Sequence, residues 1–262
     1  MALKRMNDKQ LFLLLEEAYA RYATPAFIAD DPVQVPRAFT RRADAETIGF
    51  LTATIAWGQR KTIINNAWKL VRLLDEAPYD FVMNASTREL GHLSGFVHRT
   101  FNGTDLQCFI HGLRHVNTTY GGLEQAFLPA QKQGSLPPMA EMIALFRQRF
   151  FEPPHPVRTH KHVADPVRGS NAKRINMFLR WMVRPDDRGV DLGLWKHIPA
   201  SGLHVPLDVH TGRMARELGL LQRQQDDWKS VVELTGALRR YDPADPVKYD
   251  LALFGLGVSL KS

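Results

Sequence analysis

The sequence has very little cysteine and no long apolar run. Cys108 is the single cysteine among 262 residues. One thiol excludes a disulfide within the chain, a four-cysteine zinc site and a cysteine-bound iron–sulfur cluster. No apolar run reaches the roughly 20 residues that a membrane-spanning helix needs, and no secretory leader pattern stands at the start. We therefore expect a reduced, cytoplasmic protein without a membrane partner.

Strand-like alternation, internal repeats and low-complexity tracts are also absent from the sequence. Apolar residues recur instead at helical spacing through most of the chain. This pattern predicts an all-α protein. The stretches singled out by this spacing are Lys9 to Tyr22, Asp105 to Tyr120, Leu123 to Phe127, Met139 to Phe150 and Ala172 to Arg184.

Aspartates precede several of the helical patterns. Asp44, Asp208 and Asp245 each stand where a side-chain oxygen can accept bonds from the first backbone N–H groups of a helix. Gly219 predicts the end of the helix that follows Asp208. Pro246 suits the first position of the final helix. We therefore expect all three aspartates to be helix caps.

Positive charge is in modest excess. Lysine and arginine number 34 against 27 aspartates and glutamates, which gives a formal net charge of +7. A basic chain favours a polyanionic partner such as nucleic acid, although ordinary solvated surfaces produce similar totals. Charge therefore makes nucleic acid a candidate partner and does not decide the function.

A proline-rich stretch from Glu152 to Pro166 contains three histidines and predicts an ordered loop or linker. His155, His160 and His162, with Asp165 close by, are of the residue types that bind zinc or iron. Their spacing matches no helical pair of ligands, and so we predict no metal site. A metal-dependent hydrolase that uses this histidine loop is kept as an alternative.

Two short segments combine residues that suit chemistry. The glycine–lysine segment is Gly169-Ser170-Asn171-Ala172-Lys173, and the aspartate segment is Pro206-Leu207-Asp208-Val209-His210. Each predicts a turn that leads into a helix, which places Lys173 and Asp208 at two helix starts. Either residue alone is most simply explained as a solvated lysine or a helix cap. Together, in this order, they favour a nucleophile and its charge partner.

These segments resemble motifs of the helix-hairpin-helix DNA glycosylases. The family's hairpin pattern is G-x-G-x-K, whose first glycine matches Gly169 and whose catalytic lysine matches Lys173. Asn171 replaces the second glycine, and asparagine is the next residue most tolerant of a positive φ. The aspartate segment is similar to the family's P-V-D-V-H, which contains the catalytic aspartate. The likeness is nearest to the 8-oxoguanine glycosylases, including the archaeal type.

The resemblance is best over about residues 163–220. It implies a single two-lobed helical domain of the glycosylase type over residues 1–262, with a cleft near the catalytic pair. The chain also resembles a conserved bacterial family of unassigned function, which shares the stretches Lys173 to Arg184 and Pro206 to His210.

The resemblance implies a DNA glycosylase with AP lyase activity. Its substrate would be double-stranded DNA with a damaged purine, and 8-oxoguanine is the first expectation. Lys173 would attack the sugar C1′ of a flipped nucleotide, expel the base and hold the sugar as a Schiff base. Asp208 would stabilise the positive charge that develops on the sugar. This chemistry needs no cofactor and no obligate protein partner, and it implies a nucleoid-associated location.

Several further residues are expected to contact DNA. The turn at the glycine–lysine segment would bind a phosphate with its backbone N–H groups. Gln59 would enter the gap that a flipped base leaves in the duplex. The residues expected at the DNA interface are Gly169, Ser170, Asn171, Arg174, His210, Arg180 and Gln59. The alternative is a non-catalytic nucleic-acid-binding protein that uses the hairpin as a phosphate clamp.

Overall fold

The computed structural model describes residues 6–130 and 135–259, which are mostly helical. The first α-helices are α1 (Asp8–Tyr22), α2 (Pro25–Ile28), α3 (Gln34–Arg37), α4 (Arg42–Thr54), α5 (Arg60–Leu73), α6 (Pro78–Asn84) and α7 (Thr87–His92). The later ones are α8 (Gly103–Tyr120), α9 (Leu123–Phe127), α10 (Met139–Phe150), α11 (Lys173–Val183), α12 (Val209–Glu217), α13 (Trp228–Arg239) and α14 (Tyr249–Ser259). Short 3₁₀ helices occupy Leu93–Gly95, Val157–His162, Ala200–Gly202 and Pro246–Lys248.

The sheet content of the described ranges is one small antiparallel hairpin. Its strands are β1 (Val97–His98) and β2 (Phe101–Asn102), with Val97 opposite Asn102 and His98 opposite Phe101. The prediction of an all-α protein is thereby confirmed. In the same ranges, no helix combines the length and the apolar character needed to span a bilayer.

The predicted cap at Asp44 is wrong, and Asp245 occupies the predicted cap position without the predicted side-chain bond. The cap position of α4 is occupied by Arg41, and Asp44 lies in the first turn, where its buried carboxylate accepts a bond of 2.9 Å from the backbone N–H of Tyr79. Asp245 makes no side-chain cap bond to the 3₁₀ helix that leads into α14. Its carboxylate instead accepts bonds from Arg184. In both cases a partner distant in sequence is preferred over the local N–H groups.

The chain divides into two compact units. Unit 1 combines Met1–Ala29 with Pro166–Ser262, and unit 2 is the intervening segment Asp30–Asp165. The second boundary falls at the end of the proline-rich stretch predicted to be a loop or linker. Most of the residues predicted to have a function, including Lys173 and Asp208, belong to unit 1.

Unit 2 has a core of packed phenylalanine rings. Phe50 stacks on Phe109 at a centroid distance of 5.7 Å, and Phe146 stacks on Phe127 at 4.2 Å. Helix α8 approaches this core closely at Gly112, where an added Cβ would lie 2.8 Å from the ring of Phe150. A side chain at that position would separate α8 from the aromatic core, and so the close packing requires glycine.

Unit 1 is closed by contacts between its first and last helices. The Tyr22 hydroxyl on α1 lies 2.7 Å from the Ser259 hydroxyl on α14. The Tyr249 hydroxyl donates to the Glu16 carboxylate at 2.5 Å. An added Cβ at Gly255 would overlap the ring of Tyr22. The two helices therefore lie close together, and α14 also packs against α12, the helix that Asp208 caps.

Candidate active site

The turn before Lys173 is anchored at both ends by backbone hydrogen bonds. The Gly169 N–H donates to the Pro166 carbonyl at 2.9 Å, and the Gly169 carbonyl accepts from the Trp228 N–H at 3.1 Å. Gly169 has a φ of +90°, a conformation that favours glycine. The chain enters this segment from a turn and leaves it directly into α11.

The second left-handed position of the turn is not the one predicted. Ala172, with a φ of +48°, takes the left-handed conformation, and Asn171 does not. The Asn171 side chain donates to the Leu207 carbonyl at 3.2 Å and accepts from the Lys173 N–H at 3.3 Å. The expectation that Asn171 substitutes for glycine through a positive φ is therefore wrong. Its side chain makes two hydrogen bonds that glycine cannot make.

Lys173 and Asp208 are brought together by the starts of α11 and α12. Lys173 is the first residue of α11, and its Nζ lies 3.8 Å from Asp208 Oδ2. The side chains are 30% and 21% exposed, so both are accessible to a ligand and partly shielded from water. An ion pair this open contributes little to stability. Its geometry is therefore of more interest for chemistry than for folding.

The two oxygens of Asp208 have different partners. Oδ1 accepts bonds of 2.9 Å from the backbone N–H groups of His210 and Thr211, which confirms the predicted cap of α12. Oδ2 is the atom nearest Lys173. The cap holds the carboxylate in one orientation, and that orientation presents the second oxygen to the amine.

Three further predicted site residues lie within three positions of Lys173 or Asp208 in the sequence. Arg174 follows Lys173 in α11, and burial lowers the pKa of its guanidinium to about 10. The half-buried ring of His210 packs edge-on against Phe254 of α14, with a centroid distance of 6.0 Å. Ser170 accepts a 3.3 Å bond from the Ala172 N–H through its hydroxyl. All three residues belong to unit 1, as Lys173 does.

Arg180 is not at the surface, which corrects the prediction that it contacts phosphate. Arg180 is only 4% exposed. The guanidinium donates to Asp191 through Nε at 3.2 Å and to Asp250 through Nη1. Asp191 also accepts from Arg184, which donates in turn to Asp245. Arg180 of α11 and Arg184, just beyond its end, are therefore both buried, and aspartates neutralise their charges.

Asp250 is a residue that the sequence analysis missed. It is buried in α14, where its Oδ1 lies 3.5 Å from the Thr211 hydroxyl and its Oδ2 accepts from Arg180. Burial raises the pKa of its carboxyl to about 6, against the opposing charge of Arg180 and with a further rise from Asp208. The signal available in the sequence was one carboxylate inside an otherwise apolar helix, because such a residue is rarely buried without a partner.

Gln59 lies in unit 2, where it is exposed and directly precedes α5. It occupies the cap position of that helix without a side-chain cap bond. The structure therefore leaves the Gln59 side chain at the surface of its own unit.

The three loop histidines do not converge on one point. His155 and His160 face each other with 2.6 Å between their Nε2 atoms, and His155 Nδ1 is 2.7 Å from the Pro153 carbonyl. His162 is buried separately, with its Nε2 3.3 Å from Asp105 Oδ2. Within residues 6–130 and 135–259 no group of three or more histidine, cysteine, aspartate or glutamate side chains is arranged to hold a metal ion. This geometry gives no support to a hydrolase that uses the histidine loop.

Fold and site together define a mostly helical protein with a lysine–aspartate pair at two helix starts. A family model described as "Protein of unknown function (DUF2400)" matches residues 31–259, and the chain belongs to that family. The match includes both the glycine–lysine segment and the aspartate segment. Comparisons with curated proteins and with solved structures give no match.

Proposed function

We propose that this protein is a DNA glycosylase with AP lyase activity that excises a damaged purine from double-stranded DNA. The observation on which the proposal rests is the 3.8 Å separation between Lys173 Nζ and Asp208 Oδ2. The pair occurs in the order and with the neighbouring residues of the helix-hairpin-helix glycosylases, and both side chains are partly exposed. The glycosylase-like, two-lobed fold is part of the same proposal.

The reaction begins with base release. The neutral Lys173 amine attacks C1′ of a flipped nucleotide, a C–N bond forms, and the bond from C1′ to the base breaks with its electron pair leaving on the base. Positive charge develops on the sugar as the base departs, and the Asp208 carboxylate stabilises that charge. The amine loses its proton to a proton acceptor of the protein. Asp208 Oδ2, 3.8 Å from Nζ, is positioned for that role.

Strand cleavage follows from the covalent intermediate. Loss of the ring oxygen from C1′ gives a protonated Schiff base between Lys173 and the opened sugar. Removal of a C2′ proton then expels the 3′ phosphate by β-elimination, and water releases the lysine. Each step uses an amine, a carboxylate and water, and so no external oxidant or reductant is required.

The turn at Gly169 and Ser170 suits a phosphate of the DNA backbone. Gly169 is exposed, the turn leads directly into α11, and the basic residue Arg174 is one position beyond Lys173. The N–H groups of Gly169, Ala172 and Lys173 already have acceptors within the protein, so charge from Arg174 is the main attraction that this turn offers to a phosphate. The net charge of +7 also favours a polyanion. The choice of 8-oxoguanine as the first substrate rests on the sequence resemblance alone.

Borohydride trapping tests the proposal directly. The protein is incubated with duplexes that contain 8-oxoguanine, other damaged purines or an abasic site, and the Schiff base is reduced to a stable adduct. We expect wild type to be joined covalently to DNA, Lys173→Gln to form no adduct, and the matched surface variant Lys9→Gln to behave as wild type. Failure of wild type to form an adduct with any duplex, including the abasic one, would remove the enzyme proposal.

A non-catalytic DNA-binding protein is the second candidate. The exposed turn at Gly169 and the net charge of +7 favour it, because neither feature depends on the chemistry of Lys173. If this candidate is right, wild type and Lys173→Gln should bind the duplex with equal affinity. Borohydride should then trap neither protein on DNA.

A further inference from the structure

Asn171 makes hydrogen bonds to both segments that supply the proposed catalytic pair. Its Nδ2 donates to the Leu207 carbonyl at 3.2 Å, and Leu207 directly precedes Asp208. Its Oδ1 accepts from the Lys173 backbone N–H at 3.3 Å. One side-chain amide therefore links the backbone on either side of the 3.8 Å gap between Lys173 Nζ and Asp208 Oδ2.

The chemistry of the amide suits both contacts. A carboxamide has a donor nitrogen and an acceptor oxygen at the same tip, so it can serve a carbonyl and an N–H at once. The Lys173 N–H is among the first N–H groups of α11, which have no partner within the helix. Aspartate at this position would place a charged oxygen against the Leu207 carbonyl, and glycine would leave both backbone groups without this partner.

The backbone of Asn171 is held as well. Its carbonyl accepts a 3.3 Å bond from the Asn176 side chain, one turn into α11. Asn176 is itself buried, only 1% exposed. Asn171 is therefore held by α11 through its backbone and linked to the aspartate segment through its side chain.

We infer that Asn171 is a positioning residue that sets the distance and orientation of Lys173 relative to Asp208. This inference rests on the proposed function, since it concerns the pair used in that reaction. The glycosylase pattern has glycine at this point, and glycine has no side chain with which to bridge the two segments. In this chain the bridge is a side-chain amide, and the left-handed turn conformation belongs to Ala172.

The test compares Asn171→Asp and Asn171→Gly with wild type. Asn171→Asp has nearly the same shape, retains the acceptor and replaces the donor by an oxygen. The matched control is Asn65→Asp, which makes the same chemical change at an exposed position of α5. Single-turnover base release gives the rate constant of the chemical step, and titration of the duplex gives its Kd. Both are measured at a temperature where circular dichroism shows all proteins folded.

We expect both Asn171 variants to release base about 100-fold more slowly, because a displacement of about 1 Å has that effect on a reacting pair. The polar atoms of the Asn171 side chain are bonded to Leu207 and Lys173, so Asn171→Gly should change duplex affinity by less than about 3-fold. Asn171→Asp adds a negative charge beside the turn and should also bind the duplex more weakly, so its rate is compared at saturating duplex. The control should match wild type in both measurements. Rates equal to wild type in both Asn171 variants would overturn the inference while leaving the proposed function intact.

A second measurement decides the positioning independently of DNA chemistry. Acetylation of Lys173 by a water-soluble succinimidyl ester is followed by mass spectrometry of its peptide, with Lys9 as the internal reference. We expect Lys173 to react faster in Asn171→Asp and Asn171→Gly than in wild type, because its amine is no longer held beside Asp208. If wild type forms no adduct with DNA, the proposed function fails. If neither substitution changes the acetylation rate of Lys173, the inference that Asn171 positions Lys173 fails as well.

Discussion

Arg180 and Asp250 form a buried ion pair that joins the helix containing Lys173 to the final helix of the described chain. Arg180 Nη1 donates to Asp250 Oδ2, and both side chains are less than a tenth exposed. Asp250 also lies 3.5 Å from the hydroxyl of Thr211, the residue whose N–H is capped by Asp208. The ion pair therefore connects, through one intermediate residue, to the helix start that presents Asp208 to Lys173.

Removal of Arg180 should destabilise unit 1 strongly. Arg180→Met leaves Asp250 buried without its cation and takes one partner from Asp191. Breaking a buried ion pair in this way costs about 3–5 kcal/mol. We expect the free energy of unfolding of Arg180→Met, measured in urea, to fall by that amount. The exposed control Arg240→Met should change it by less than about 0.5 kcal/mol. Equal stability of Arg180→Met and wild type would mean that the pair is not formed.

The titration of the buried Asp250 carboxyl should be visible in the pH dependence of the free energy of unfolding. Burial raises its pKa in the folded protein to about 6 from the ordinary value of 3.8. The folded state then binds more protons than the unfolded state between these values, so this group stabilises the fold at low pH and its contribution is lost as pH rises through about 6. We expect a smaller loss of stability from pH 4 to 6, or a larger gain, in Asp250→Asn than in wild type.

The comparison of variants isolates Asp250 from other titrating groups. Burial lowers the pKa of His204 to about 4, so the contribution of this histidine to stability rises with pH over part of the range in which that of Asp250 falls. It is common to wild type and variant, and it cancels in the difference between their curves. The exposed variant Asp187→Asn should keep the slope of wild type. Parallel curves for wild type and Asp250→Asn would contradict the prediction.

Two substitutions of Asp208 should separate its effect on base release from its effect on stability. Asp208→Asn retains an oxygen that accepts from His210 and Thr211, so its unfolding free energy should change by well under the ~1 kcal/mol that a lost cap costs. Asp208→Ala loses the cap and should be destabilised by about that amount. Both substitutions remove the carboxylate that faces Lys173, and both should slow base release severely. Rapid base release by either variant would show that the carboxylate is dispensable.

Binding to duplex DNA should weaken as salt concentration rises. Each neutralised phosphate contributes about −0.9 to the slope of log K against log salt. If the Arg174 guanidinium contacts a phosphate beside the turn, Arg174→Gln should reduce that slope by roughly one phosphate. The control Arg240→Gln, directly after α13, should leave the slope unchanged. Fluorescence anisotropy at several salt concentrations measures both slopes. Binding by wild type that does not vary with salt would argue against a DNA partner.

The sequence analysis was most accurate where local signals decide the structure. Apolar spacing predicted α9 and α10 with their observed bounds, and it placed the start of α1 within one residue. The cap at Asp208 followed from a side chain that reaches N–H groups only two and three positions away. Such features depend on a few neighbouring residues, and so a sequence window contains the information that specifies them.

The errors arose where a partner is distant in the chain. Arg180 looks like a surface residue in its own helix, and its burial depends on Asp250, which is 70 positions away. Asp44 and Asp245 are similarly engaged by Tyr79 and Arg184. The position of the left-handed residue was misjudged for the same reason, since Asn171 is held through Leu207 of the second segment. No local pattern specifies which distant groups will meet.

The division of unit 1 into two stretches of chain has a consequence for synthesis on the ribosome. Helix α1 is synthesised before unit 2, but the helix against which it packs, α14, begins at Tyr249 and follows the whole of unit 2. At about 5–20 residues per second, α1 must wait on the order of ten seconds or longer for its partner. Unit 2 is continuous in sequence and can fold during that interval, whereas unit 1 is completed last. The apolar residues Leu11, Leu15 and Ala18 of α1, which are buried in the folded protein, therefore wait for α14 while the nascent chain grows.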